Sequence, residues 1–437
     1  MIDSILQDQN PWWFDPLARR PASRPWRRPL VTAINAALRR DDRRAILLCG
    51  PRQVGKTVCL LQAVEALIAD GVPPQQIAYF DFSDDRLIAA VSPRDVLAAA
   101  PVVPGSRFVF LDEITACAGP WDLWLKQAVD EGGARIVATD SSASLLRGPG
   151  RESGLGRWDE WPIGTLTFAE WVGLRGLGED PEAGLLRDPR LLAVYLQSGG
   201  FPEFAYADSD LGLARRRLRS DLMDKAVRRD LARLRLSPEL ARVFAYLAES
   251  SSAEVVPAKV ACELALDRRT VESGLQAFVD AGLLLRLDRF TARASERLRA
   301  PTKVHATDHG IVAAFSALAD PFGDARTKGA LYEAVVLRHL RSLAPGTGDI
   351  AYYREDKTTE VDFVVKLPGG AATIEVTSSV QVDGPKLRTT AAVRETIGAR
   401  TAIVVHGGVT EAWRDGVHLL PLHRFLCRPE RIAEVQP

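Results

Sequence analysis

The chain has 437 residues, 46% of them apolar and 26% charged, with Lys plus Arg and Asp plus Glu equal at 56 each. That length implies about two to four domains, and the composition is that of a globular protein rather than a disordered or membrane one. The balanced charge excludes a global field for polyanions, so any nucleic-acid surface has to come from local clustering. The five cysteines (Cys49, Cys59, Cys117, Cys262, Cys427) are scattered, without a CxxC pair or a histidine at metal spacing, and read as small buried hydrophobes in a reducing compartment. No basic head followed by an apolar core opens the chain, and no run approaches about 18 apolar residues. A cytoplasmic protein with no membrane segment is expected.

Residues 1–43 are rich in Pro, Trp and Arg, as in PWWFDPLARRPASRPWRRP. They read as an extended arm that packs its aromatics on a neighbouring domain and leads into a short helix near Leu30 to Arg39. From Ala45, short apolar runs alternate with amphipathic helices. AILLC, IAYFDF, RFVFLDE and RIVATD are the strand candidates, and the alternation predicts an α/β domain over 44–175, a parallel sheet covered by helices.

Inside that domain, AILLCGPRQVGKTVCLLQAVEALI carries GxxxxGKT between an apolar strand and an amphipathic helix, the context a phosphate-binding loop requires. Glycines let backbone N–H groups curl round a β-phosphate, and the helix N-terminus adds a favourable dipole. The expected ATP-binding loop is therefore Gly50, Pro51, Arg52, Gln53, Val54, Gly55, Lys56, Thr57 and Val58. Lys56 would reach the β- and γ-phosphates, and the Thr57 hydroxyl would ligate Mg2+. The strand RFVFLDE ends in Asp112, 55 residues after Thr57, and Glu113. Asp112 is the candidate for the Mg2+ shell, and Glu113 for orienting and deprotonating the attacking water.

The next strand ends in Thr139, Asp140 and Ser141. Where an extra strand separates the phosphate loop from the acidic strand, a polar residue here senses the γ-phosphate, and Thr139 is the candidate. The loop LLRGPGRESGLGRWDEW offers Arg147, Arg151 and Arg157. One of them, with Arg157 preferred, would be an arginine finger supplied by a neighbouring subunit of a homo-oligomer; a solvated loop arginine is the alternative.

Residues 176–236 read as a helical lid. Its stretch 211–235 holds Arg215, Arg216, Arg217, Arg219, Lys225, Arg228, Arg229, Arg233 and Arg235, a phosphate-contacting face or a solvated lid surface. Residues 237–304 have the form helix, turn, helix, strand of a winged helix-turn-helix. Asp267 can cap the second helix, placing Arg268, Arg269, Thr270 and Ser273 in its exposed first turns, and Arg286, Arg289, Arg293, Arg297 and Arg299 on the wing. Such a module contacts DNA or another protein surface.

The order NPWW (10–13), GPRQVGKT (50–57), FLDEI (110–114), TLTFAEW (165–171), SGGFPE (198–203), TKVHATDHGI (302–311) and LYEAVVLRHL (331–340) resembles bacterial and archaeal AAA-superfamily P-loop ATPases. Those proteins carry a C-terminal domain of unknown function with a restriction-endonuclease-like core. The resemblance spans the chain and implies ATP and Mg2+ use. Over 305–437 it implies a PD-(D/E)xK-type domain whose metal-holding acids map to Glu333, Asp362 and Glu375, with Thr377 at the lysine position. Strand alternation brings Asp362 and Glu375 to one face only if the hairpin EVDFVVKLPGGAATIEVTSS pairs Asp362 with Glu375 or Thr377. Thr377 brings no charge to stabilise a developing anion, although Lys366 or Lys386 could stand in. The expectation is a nuclease-like domain with lost or weakened cleavage. Mg2+-dependent ATP hydrolysis would drive conformational change on DNA or under its control, in a defence or mobile-element setting. The alternatives are an ATP-holding DNA-binding switch and a metal-dependent nuclease.

Overall fold

The computed structural model describes residues 2–434 apart from 19–24, 41–42, 85, 87–91, 102–106, 118, 141–155, 179, 208–209, 224–238, 292–295, 297–299, 345, 347 and 357. The chain divides into two compact units, Met1–Ile163 and Gly164–Pro437.

In the first unit β1 (Ala45–Cys49), β2 (Ile77–Asp81), β3 (Arg107–Asp112), β4 (Ala134–Asp140) and β5 (Trp158–Pro162) form one sheet in the order β2-β3-β4-β1-β5. Every pairing is parallel. The strands are near-continuous apolar runs, and the side chains of Ile46, Leu47, Leu48, Val109, Phe110 and Val137 are all buried, as expected for a parallel sheet with both faces covered. Because β4 lies between β1 and β3, the ends of those three strands lie side by side at one edge of the sheet.

The N-terminal segment is not an extended arm throughout. Ile2–Gln9 is a helix that buries Ile5 and Leu6, apolar positions hidden in the sequence by the polar residues around them. Its end seals edge strand β2. The Trp12 and Trp13 indoles both donate to the Ile77 carbonyl, at 3.2 and 2.8 Å. The Asn10 amide accepts from Tyr79 N–H at 2.7 Å and donates to Tyr79 O at 2.9 Å. Gln9 accepts from Asp81 N–H at 2.9 Å. Alternate residues of an edge strand turn their backbone groups outward, where another chain could pair with them; here side chains fill that role.

The second unit opens with helices, among them Phe168–Leu174, Arg190–Ser198 and Leu211–Asp221. The helices Leu240–Glu249, Pro257–Leu264 and Arg268–Asp280 follow, with a three-stranded antiparallel sheet β6-β8-β7 made of β6 (Ala253–Val255), β7 (Leu284–Leu287) and β8 (Thr302–Ala306). After the long helix Ala325–Leu343 comes a six-stranded sheet in the order β13-β14-β12-β11-β10-β9. Its members are β9 (Ile350–Arg354), β10 (Glu360–Leu367), β11 (Gly370–Thr377), β12 (Thr401–His406), β13 (Ala412–Arg414) and β14 (Val417–Pro421). Helix Gly384–Ile397 packs Leu387 on Ala402, Val404, Val417 and Leu419.

Four stretches distant in sequence meet in this unit at Asp308, which is fully buried. Its carboxylate accepts from the Thr165 hydroxyl at 2.6 Å, Gly200 N–H at 3.0 Å and Gly310 N–H at 2.7 Å. The Arg338 guanidinium donates to the Thr165 carbonyl at 2.8 Å. A side chain at Gly199, whose φ is +79°, would strike Gly310 Cα at 2.6 Å. The stretches TLTFAEW, SGGFPE, TKVHATDHGI and LYEAVVLRHL thus share a buried polar knot.

Candidate nucleotide site

Parallel sheets place ligands outside the carboxyl ends of their strands, and that is where the first unit gathers its polar residues. β1 runs out at Cys49 into the loop that ends at helix Lys56–Ala69. Register sets Cys49 beside Asp140 and Asp81 beside Asp112. The loop turns through left-handed backbone at Gln53 (φ +66°) and Gly55 (φ +93°), and a Cβ at Gly55 would meet only open space. Gly50 is required for a different reason: a Cβ there would lie 1.9 Å from the Ile163 carbonyl at the end of β5. From the N-terminal segment the buried Arg28 donates to Val54 O at 3.1 Å, holding the loop from outside.

Lys56 is buried, with its ammonium donating to Gly50 O and Pro51 O at 2.9 Å each. Burial lowers its pKa, against the pull of Glu113, Asp112 and Asp140. Asp112 is buried too, and burial raises its pKa while hydrogen bonds from Thr139 and Thr57 oppose the rise. The Tyr79 hydroxyl donates to its second oxygen at 3.0 Å. Glu113, in left-handed backbone at φ +49°, donates its N–H to Thr139 Oγ1 at 3.1 Å. Asp140 accepts from Thr115 N–H at 3.1 Å, which ties the turn after Glu113 to β4. A buried ammonium that donates to two loop carbonyls, an open loop with glycine at the helix entrance, and a hydroxyl bonded to a carboxylate fit a Mg2+-nucleotide. Thr57 and Asp112 are already in hydrogen-bond contact.

Tyr79 was not anticipated as part of this site. A tyrosine fully buried within an apolar strand needs a partner for its hydroxyl, and that is the signal in IAYFDF. Arg157 stands elsewhere. Parallel pairing of β5 with β1 sets Trp158 beside Ala45, so Arg157 lies where the strands begin, opposite the phosphate loop, and is ion-paired to Asp130 at 3.1 Å. Arg147 and Arg151 fall outside the described residues.

In the second unit the hairpin register Phe363 to Ile374 and Val364 to Thr373, continued by one residue, sets Asp362 across from Glu375. Glu333 is coupled electrostatically to both. Among the described residues no group of three or more His, Cys, Asp or Glu is placed to hold an ion. Two of the three acids, Asp362 and Glu375, are already engaged. Lys386 pairs with Glu375, the Lys303 ammonium pairs with Glu360 and lies 3.7 Å from Asp362, and Asp362 also accepts from Val376 N–H at 2.9 Å. Burial and the Asp362 charge raise the Glu375 pKa to about 8, against Lys386. Thr377 is buried, and Lys366 is exposed.

Arg268, Arg269 and Ser273 are exposed on the first turns of helix Arg268–Asp280, capped by Asp267, as is Arg286 on β7. Arg268 pairs with Glu272 at 2.8 Å. In the basic stretch, Arg215 bonds Gln197 and the Ala319 carbonyl, and Arg219 lies over the Phe315 ring. Those two arginines serve packing. Lys225, Arg228, Arg229, Arg233, Arg235, Arg293, Arg297 and Arg299 lie outside the described residues. No helix among the described residues is long and apolar enough to cross a membrane.

Residues 42–172 match the model of an AAA domain, so the phosphate-loop part of the chain is of the AAA ATPase type. Residues 189–321 and 328–425 match two domains of unknown function, DUF8612 and DUF4143, neither description naming a nuclease. An uncharacterized protein of Haemophilus influenzae is 24% identical over 277 residues, 61% of this chain and 67% of that protein. Another, of Methanocaldococcus jannaschii, is 24% identical over 334 residues, 73% of this chain and 71% of its own. Among solved structures, the Thermotoga maritima RuvB Holliday junction branch migration motor aligns at TM-score 0.31 and 18% identity, over 64% of this chain and 98% of that one. The replication initiator DnaA bound to AMPPCP and single-stranded DNA aligns at TM-score 0.30 and 15% identity, over 59% and 89%. Overlaps this low have no bearing on function.

Proposed function

We propose that the protein is a Mg2+-dependent ATPase whose first unit binds and hydrolyses ATP. The observation that carries this reading is the convergence of Lys56, Thr57, Asp112, Glu113 and Thr139 at one edge of the parallel sheet. Backbone N–H groups of the loop bind the β-phosphate, and Lys56 neutralises the β- and γ-oxygens. Thr57 and Asp112 would hold Mg2+, which supplies charge to the phosphates. Glu113 accepts the proton of the attacking water, and its position is fixed by the bond from its N–H to Thr139. Thr139 joins the base to the Asp112 carboxylate, the geometry a γ-phosphate sensor needs. A finger arginine would come from another subunit. ATP turnover that is abolished by Glu113→Gln supports this assignment; turnover indifferent to it refutes it.

The exposed Arg268, Arg269 and Arg286 favour a further element, contact of the helix Arg268–Asp280 with DNA phosphates. Duplex binding that weakens with salt and with Arg268→Ala plus Arg269→Ala supports it. Unchanged binding, or none, makes this module a protein contact.

A further inference from the structure

Lys303 is buried on β8, yet its ammonium faces acids on the other sheet of the second unit. It pairs with Glu360, lies 3.7 Å from Asp362 Oδ1, and sits 5.4 Å from the centre of the Tyr352 ring. The Tyr352 hydroxyl donates to the Pro301 carbonyl at 2.6 Å with Glu254 of β6 at 3.2 Å from it, and Arg354 spans Glu254 and Glu360 at 2.9 and 3.1 Å. Charges cross this junction in both directions. Burial works against the lysine's charge, but Asp362, Glu333 and Glu360 hold its pKa above the usual range. A buried ammonium persists only with such partners, and acids crowded together either take up protons or share a cation. One carboxylate oxygen, Glu333 Oε2, is buried without a hydrogen-bond partner.

We infer that Lys303 is a built-in cation: its ammonium takes, among Glu333, Glu360 and Asp362, the place a divalent ion would otherwise hold, and so pins β6–β8 to β9–β10 without metal. The cluster is then an internally occupied cation site and a rigid joint, with Lys386 serving Glu375 in the same way. The inference is independent of the nucleotide reading, which concerns the first unit.

Mn2+ uptake by the nucleotide-free full chain, followed by electron paramagnetic resonance, tests it. Wild type should take up no Mn2+ that depends on Asp362. Lys303→Met should take up one ion, and that uptake should vanish in Lys303→Met with Asp362→Asn. Asp362-dependent Mn2+ on wild type, or none on folded Lys303→Met, overturns the inference. Thermal unfolding supplies a second readout if the single variant folds poorly. The double variant should recover part of the Tm lost by Lys303→Met, because it removes charge in a pair, whereas a double variant no more stable than the single one overturns the inference.

Discussion

The Thr139 hydroxyl, on β4, donates to the buried Asp112 carboxylate at the end of β3, and the same oxygen accepts the Glu113 N–H at 3.1 Å. One side chain therefore sets both Asp112, the proposed metal-facing acid, and the backbone of Glu113, the proposed base. Thr139→Val removes both bonds while keeping shape. A hydrogen bond to a charged group is worth about 1.5–3 kcal/mol, so turnover should fall roughly ten- to hundredfold while nucleotide affinity changes little. Steady-state rates beside equilibrium binding check the split.

Glu113→Gln keeps the size and the backbone of the base and removes its basicity. ATP should still bind, with turnover reduced by about 10²–10⁴, the usual contribution of a general base. Single-turnover measurement with labelled ATP distinguishes slow chemistry from slow product release.

Asn10 exchanges a pair of buried hydrogen bonds with the Tyr79 backbone on the outer edge of β2. Asn10→Ala leaves buried backbone groups unpaired, at a cost of about 1–3 kcal/mol for each. It also uncovers a strand edge, so light scattering should show concentration-dependent association that wild type lacks. Denaturant midpoints measure the stability part.

Histidines 305 and 339 are fully buried, and burial depresses the pKa of each to about 3. In the unfolded chain they titrate near 6.5, so the stability they contribute is present above that pH and is lost as pH falls toward 3. Over this window each should steepen the pH dependence of unfolding by about 1.4 kcal/mol per pH unit. His305→Gln should flatten the acid limb of a plot of denaturant midpoint against pH.

The phosphate loop was legible because its chemistry is local. Glycine spacing, a lysine and a threonine between strand and helix occupy a few consecutive residues. Asp112 and Glu113 were legible as acids at the end of an apolar strand. What escaped reading depends on distant partners: Tyr79 meets Asp112 across 33 positions, and Thr165 meets Asp308 across 143. The sequence offers Arg157 as a finger for a neighbouring subunit, and strand pairing adds that it stands at the edge of the sheet opposite its own phosphate loop. The acids of the hairpin map to metal ligands only through the family resemblance, and Lys303, 57 positions before Glu360, gives no local sign that it turns toward them.

Calorimetric titration of the purified chain with Mg2+-ATP, run beside Lys56→Ala, tests the nucleotide assignment most directly. Wild type should release or absorb heat with saturation near one nucleotide per chain, and the variant should give none. Equal binding by both proteins, or no uptake by wild type, would contradict a phosphate site built on Lys56.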